Sequence, residues 1–122
     1  MKEKDPAVIS ADVKQVVLDF ITALNKEDFE AARVHVNDDM TFKGVLGSRT
    51  GADAYFKDME HMRLKYDIKK SFSDEEDVCL FYDITMSGVT IFSCGWYHIE
   101  NDKIQSIRVV FDPRPILDGI KK

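Results

Sequence analysis

Apolar positions along the chain follow two periods. From Val13 to Leu24 they recur at helical spacing, with Val13, Val16, Val17, Phe20, Ile21 and Leu24 on one stripe. Ser10 is placed to cap this first helix, and Asp12 sits in its first turn, where a carboxylate meets free backbone N–H groups. Residues 1–9 read as a loose arm. Asn25 ends the helix and is placed to cap a second, weaker one bearing Phe29, Ala32 and Val36, which Asn37-Asp38-Asp39 breaks. A short strand is predicted over Met40–Lys43, then a loop, Gly44 to Arg49. Thr50 with Asp53 reads as a capping box for a third helix whose apolar face is Ala52, Phe56, Met59 and Met62. From Leu64 the period changes to two, and a polar strand runs to about Phe72. The acidic run Ser73 to Asp77 is a solvated turn.

The stretch Cys79 to Asp112 holds three apolar, β-branched and aromatic runs separated by Ser87-Gly88 and Asn101-Asp102, the pattern of an antiparallel meander. Two-residue turns there set Asp83 opposite Phe92, Phe81 opposite Cys94 and Cys79 opposite Trp96. On the second hairpin they set Trp96 opposite Ile107, Cys94 opposite Val109 and Phe92 opposite Phe111. One face then collects Cys79, Phe81, Asp83, Phe92, Cys94, Trp96, His98, Ile107, Val109 and Phe111, and is read as the inner, pocket-lining face. The other carries Leu80, Tyr82, Ile84, Ile91, Ser93, Gly95, Tyr97, Arg108 and Val110. Of this second face Ile91, Tyr97, Tyr82 and Val110 are too apolar to be fully wet, which predicts a homodimer formed through it. Pro113 and Pro115 stop the sheet, and the last residues trail off.

Three helices with a strand among them, followed by a curved antiparallel sheet, make an α+β fold with helices on one face of the sheet. Such a sheet curls into a cone around the three N-terminal helices and leaves a pocket inside. The 122 residues suit one domain over 1–122, its core about 10–115. A net charge of −5 gives no support to a nucleic-acid or anionic-membrane partner. No stretch is long and apolar enough to span a bilayer, and the polar N-terminus lacks a signal-peptide core, which together predict a cytoplasmic protein. Cys79 and Cys94 fall on neighbouring strands but not directly opposite, and are read as buried thiols rather than a disulfide. His35, His61 and His98 lie too far apart for a metal site, so no metal is expected.

The chain resembles the SnoaL-like branch of the nuclear-transport-factor-2-like superfamily (a cystatin-like fold) over roughly residues 10 to 115. The resemblance rests on the element order, on GVLGSRTGADAYF (Gly44 to Phe56) and on GWYHIENDKIQSIRVVFDP, which is similar to the family's last hairpin. It implies relatives that are polyketide cyclases, ketosteroid isomerases and limonene epoxide hydrolases, alongside non-catalytic binding and dimerisation domains. It also implies an Asp on the last strand, where this chain has Val109. An Arg and an Asp are implied on an earlier strand, where it has Phe81 and Asp83. An isomerase base would fall near Gly44 and a phenol donor near Phe20. No complete catalytic set is present, and no cofactor is implied.

Asp83 is the candidate general acid or base, because a carboxylate among Phe81, Phe92 and Trp96 would have a raised pKa. The alternative is that it caps a backbone group. His98 is a second candidate on the same face, or else a rim residue. Phe20, Phe56, Met59, Phe81, Phe92, Cys94, Trp96, Ile107, Val109 and Phe111 are the candidate ligand-binding set, and Tyr55 and Arg49 reach towards the mouth. Two readings stay open: a small apolar, cyclic or aromatic ligand bound in the cone with cofactor-free acid/base chemistry, or a non-catalytic binding or dimerisation module.

Overall fold

The structure is a computed structural model that describes the backbone of residues 6–121 and the side chains of residues 13–117. Helix α1 spans Pro6–Asn25. It starts at the proline, whose missing N–H belongs to a position that has no helical partner in any case. Ser10 therefore lies inside the helix and not at its cap. Val13, Val17, Phe20, Ile21 and Leu24 are buried, as their spacing predicts. Helix α2 (Phe29–Arg33) is capped by Asp28, whose carboxylate accepts the Ala31 N–H at 3.1 Å. Asn25 has another partner: its carboxamide accepts the Tyr66 N–H (2.7 Å) and donates to the Tyr66 carbonyl (2.9 Å), tying α1 to the sheet.

Strand β1 (Val36–Lys43) is longer than predicted and includes Asn37-Asp38-Asp39. It turns into the short β2 (Ser48–Thr50), and helix α3 (Ala52–Met62) follows. The residue before α3 is Gly51 at φ 95°, a backbone setting that side chains oppose, and it has no side-chain cap. The Thr50 capping box does not form, because Thr50 is paired with Thr41 in the sheet. Then come β3 (Lys65–Asp74), β4 (Asp77–Met86), β5 (Val89–Glu100) and β6 (Lys103–Phe111). A fourth helix, α4 (Arg114–Lys121), takes the place of the expected trailing end. The strand order is β2-β1-β6-β5-β4-β3, antiparallel except for β1 beside β6, which run parallel.

Both meander turns have the predicted two residues, Ser87-Gly88 and Asn101-Asp102, all at positive φ. The β4–β5 register is as read from the sequence, with Asp83 opposite Phe92 and Cys79 opposite Trp96. The β5–β6 register is not. Glu100 pairs with Lys103 and Ile99 with Ile104, but His98 then pairs with Ser106, leaving Gln105 as an extra residue. This bulge advances β6 by one, so Ile107 lies opposite Tyr97 and Val109 opposite Gly95. It is held from β1: Asn37 Nδ2 donates to Gln105 Oε1 (2.9 Å) and to the Glu100 carbonyl (3.0 Å).

The slip decides which face is inside. Ile107 and Val109 are buried against the helices, as expected. With the bulge they bring Tyr97, Gly95, Tyr82, Leu80 and Ile91 inside with them. Trp96, Phe92, Cys94, Phe81 and Asp83 go outward. The expected inner and outer faces of β4 and β5 are therefore exchanged.

Candidate functional site

Between the concave face of the sheet and α3 lies a cavity of about 250 Å³. Its walls are Phe42 of β1, Met59 and Met62 of α3, Leu64 just before β3, Ile84 of β4, Ile91 of β5, Ile107, Val109 and Phe111 of β6, and Ile116 of α4. The loop Gly44 to Ser48 and Arg49 complete the rim. At the rim Arg49 Nε pairs with Asp58 Oδ2 at 2.7 Å.

Phenols are the main polar groups inside this apolar space, beside the Ser93 hydroxyl, which donates to the Ile91 carbonyl at 3.2 Å. All four tyrosines of the chain meet here. Tyr55, Tyr66 and Tyr97 line the cavity, and Tyr82 lies beneath them. The Tyr82 and Tyr97 hydroxyls are 2.6 Å apart, and the Tyr66 and Tyr82 rings are 5.2 Å apart. The Tyr66 hydroxyl donates to Met59 Sδ at 3.9 Å. Burial pushes every one of these phenols well above the ordinary tyrosine range. They are therefore neutral hydrogen-bond groups at any physiological pH and do not serve as bases. Gly95 makes room for them, since a Cβ there would lie 2.1 Å from the Tyr82 hydroxyl.

Of the expected ligand-binding set, Met59, Ile107, Val109 and Phe111 line the cavity, and Tyr55 and Arg49 reach it as expected. Phe20 and Phe56 are buried behind it, packed on each other edge to face at 6.3 Å. Phe81, Phe92, Cys94 and Trp96 lie on the convex face, outside the cavity, with Phe92 59% and Trp96 51% exposed. Asp83 is on the same convex face, with Lys69 Nζ 3.7 Å from Oδ2. It has none of the apolar enclosure that its candidacy as an acid or base required. The physical cause is the bulge: it separates the inward residues of β6 from those of β5 with which a regular hairpin would group them.

His98 is also convex. Its Nδ1 lies 2.8 Å from Asp77 Oδ1, and its Nε2 lies 3.2 Å from Glu100 Oε2. Asp77 Oδ1 also accepts the Trp96 indole N–H at 2.9 Å. The bond to Asp77 raises the His98 pKa against partial burial, and Glu100 adds to the rise. Burial works to raise Asp77, but the bonds from Trp96 and His98 outweigh it and hold Asp77 below its ordinary value.

Tyr66, Tyr82 and Tyr97 and the Gly44 to Ser48 rim are the parts of the site that the sequence did not point to. One signal was available: a glycine inside a strand, Gly95, marks a close approach by a neighbour. Among the described residues no group of three or more His, Cys, Asp or Glu is arranged to hold a metal, and no helix is long and apolar enough to cross a membrane.

A curled six-stranded sheet closed over an apolar cavity by helices is the architecture of the nuclear-transport-factor-2-like superfamily. Within it the chain belongs to the SnoaL-like domain family, whose sequence model matches residues 17–107. It is 44% identical to a nuclear-transport-factor-2-like protein of unknown function from Cytophaga hutchinsonii, with a TM-score of 0.85 over 96% of this chain and 99% of that one. It shares the fold of an epoxide hydrolase of the limonene type from M. tuberculosis (19% identity, TM-score 0.77, 92% and 91% covered). It also shares the fold of a candidate SnoaL-like polyketide cyclase from Shewanella denitrificans (13% identity, TM-score 0.77, 89% and 96% covered). None of the curated proteins compared with the chain matches it.

Proposed function

We propose that the chain is a binding protein for a small, neutral, mostly apolar molecule that carries one hydrogen-bond acceptor, held in the concave cavity. The observation that carries this reading is the chemistry of the lining. Among the described residues that line the cavity, Asp58 is the one carboxylate, and Arg49 occupies it. That leaves no free base for proton abstraction, and the general-acid role considered for Asp83 finds no support in its convex position. The phenols set the ligand's polarity. The Tyr82 and Tyr97 hydroxyls own two protons and their mutual bond uses one, so Tyr97, which lines the cavity, has a proton to offer a ligand oxygen. The volume of about 250 Å³ is near the lower end of ligand pockets and suits a molecule of one or two rings.

Titration with 1-indanone and with indane, which differ at the carbonyl, tests the reading by calorimetry or amide NMR shifts. Indanone binds about tenfold tighter, because indane leaves buried donors unpaired. Ile107→Trp fills the cavity and abolishes binding, while Asp83→Asn leaves it unchanged. Failure of both compounds, and of larger ring ketones, to bind sinks the proposal.

The partner we assign is a second copy, joined through the convex face. The support is an exposed apolar patch of Phe72, Phe92, Trp96 and Val110, each more than half exposed. Of the residues expected to form that interface only Val110 lies there. Ile91, Tyr82 and Tyr97 are in the core. Sedimentation of the wild type and of Trp96→Lys checks this; a wild type monomeric at high concentration rejects it.

A further inference from the structure

We infer that Cys79 and Cys94 form a reversible dithiol–disulfide couple on the convex face, oxidised within one chain by small disulfides. The two sulfurs lie 3.4 Å apart, both half-buried and both free. The register explains the approach. Cys79 pairs with Trp96 and Cys94 with Phe81, so the cysteines are diagonal neighbours on one face of adjacent strands. Closing a bond of about 2.05 Å requires the sulfurs to approach by little more than 1 Å. Diagonal neighbours are set farther apart than directly opposed residues, roughly 7–8 Å between Cα atoms, beyond the usual disulfide range. The bridge is therefore under tension. Tension makes a disulfide easier to reduce, which suits a reversible couple and not a permanent staple.

The exchange balances without any further oxidant. One protein sulfur, as thiolate, attacks a small disulfide RSSR and releases RS⁻. The second protein thiol gives its proton to solvent base and attacks the first sulfur, expelling another RS⁻. Two protein thiols and RSSR thus become one protein disulfide and two RSH. Burial, with the Cys79 thiol beside it, pushes Cys94 up to about 11. Either cysteine serves as the first sulfur, with the other, 3.4 Å away, as the resolving one.

The position gives the couple something to act on. Trp96, the single tryptophan, is directly opposite Cys79. Tyr82 and Tyr97 lie on the same two strands, on the other face of the sheet. Pulling β4 and β5 together therefore strains the strand pair that carries the Tyr82–Tyr97 bond into the cavity.

Oxidised glutathione at mildly alkaline pH, followed by intact-mass and peptide mass spectrometry, is the test. The wild type is expected to lose two hydrogens, to show a Cys79–Cys94 cross-linked peptide, and to lose Trp96 fluorescence. Dithiothreitol reverses all three. Cys79→Ser and Cys94→Ser cannot bridge and keep at most one glutathione. Trp96→Lys is oxidised in parallel, so that a second copy on the convex face cannot shield the sulfurs; bridging there alone still supports the couple. Stable glutathione adducts, links only between chains, or no reaction in either protein overturns it.

Discussion

The hydroxyls of Tyr82 on β4 and Tyr97 on β5 stand 2.6 Å apart over Gly95, both rings buried. Each is the hydroxyl partner the other has. Tyr97→Phe removes one and leaves the Tyr82 hydroxyl buried without it, which costs about 1–3 kcal/mol. The double variant Tyr82→Phe, Tyr97→Phe removes both polar groups together and is expected to cost less than the sum of the singles. Urea denaturation of the four proteins measures the cycle. Additive losses would mean that the pair does not act as a unit.

Gly95 is the residue that lets this pair sit flat on the sheet. A methyl group there meets the Tyr82 hydroxyl at 2.1 Å and Tyr97 Cε1 at 2.8 Å. Gly95→Ala must displace both rings, at a cost of about 1–3 kcal/mol. Tyr82→Phe in the same chain removes the nearest atom and recovers part of the loss. Thermal unfolding of the single and double variants checks the order, and a neutral Gly95→Ala would show that the rings move freely.

Much of this fold can be read from the order of the residues, and the limits have a physical cause. Helix α1 follows from its stripe because one buried face at helical spacing has few other solutions. The β4–β5 register follows from Ser87-Gly88, because a two-residue turn allows one pairing. The site does not follow in the same way. A bulge adds one residue without altering local composition, so Gln105 looks like any strand residue. The amide that holds it, Asn37, is far away in sequence. Once Gln105 is out of step, an alternation with apolar residues on both faces gives no means of correcting the assignment. Phe81, Phe92 and Trp96 are as apolar as Tyr82, Ile91 and Tyr97, and only the packing against α1 and α3 separates the two sets.

His98 makes the convex edge sensitive to pH. Its pKa is raised above 6.5 by Asp77 and Glu100. A group with a raised folded pKa stabilises fully below its unfolded value and loses that contribution as pH rises through the folded one. Stability should therefore decline from about pH 6.5 upward, and by no more than about 1 kcal/mol because the groups are partly solvated. The depressed Asp77 acts in the opposite window, losing its contribution as pH falls below its ordinary value of 3.8. His98→Gln abolishes the decline at the upper end. Urea midpoints measured from pH 5.5 to 8.5 decide it, and identical slopes in both proteins would reject the assignment.

The bulge at Gln105 is the last structural feature open to direct test. Deleting Gln105 removes the extra residue but leaves Ser106 opposite His98 and Ile107 opposite Tyr97, so the inward set of β6 is preserved. What is lost is the bond from Asn37 to Gln105 (2.9 Å) and the contact of Gln105 Nε2 with Asp39 Oδ1 (3.2 Å). Those contacts fasten β6 to β1, and the bulge itself bends the strand around the cavity. The deletion variant is expected to fold, to lose roughly 1–3 kcal/mol, and to exchange the β1 and β6 amides faster. Ring-ketone binding should weaken with it, because a straighter β6 moves Val109 and Phe111 away from α3. A deletion variant as stable as the parent, with the same ketone affinity, would show that the bend contributes nothing and that the curl of the sheet is set by its helices alone.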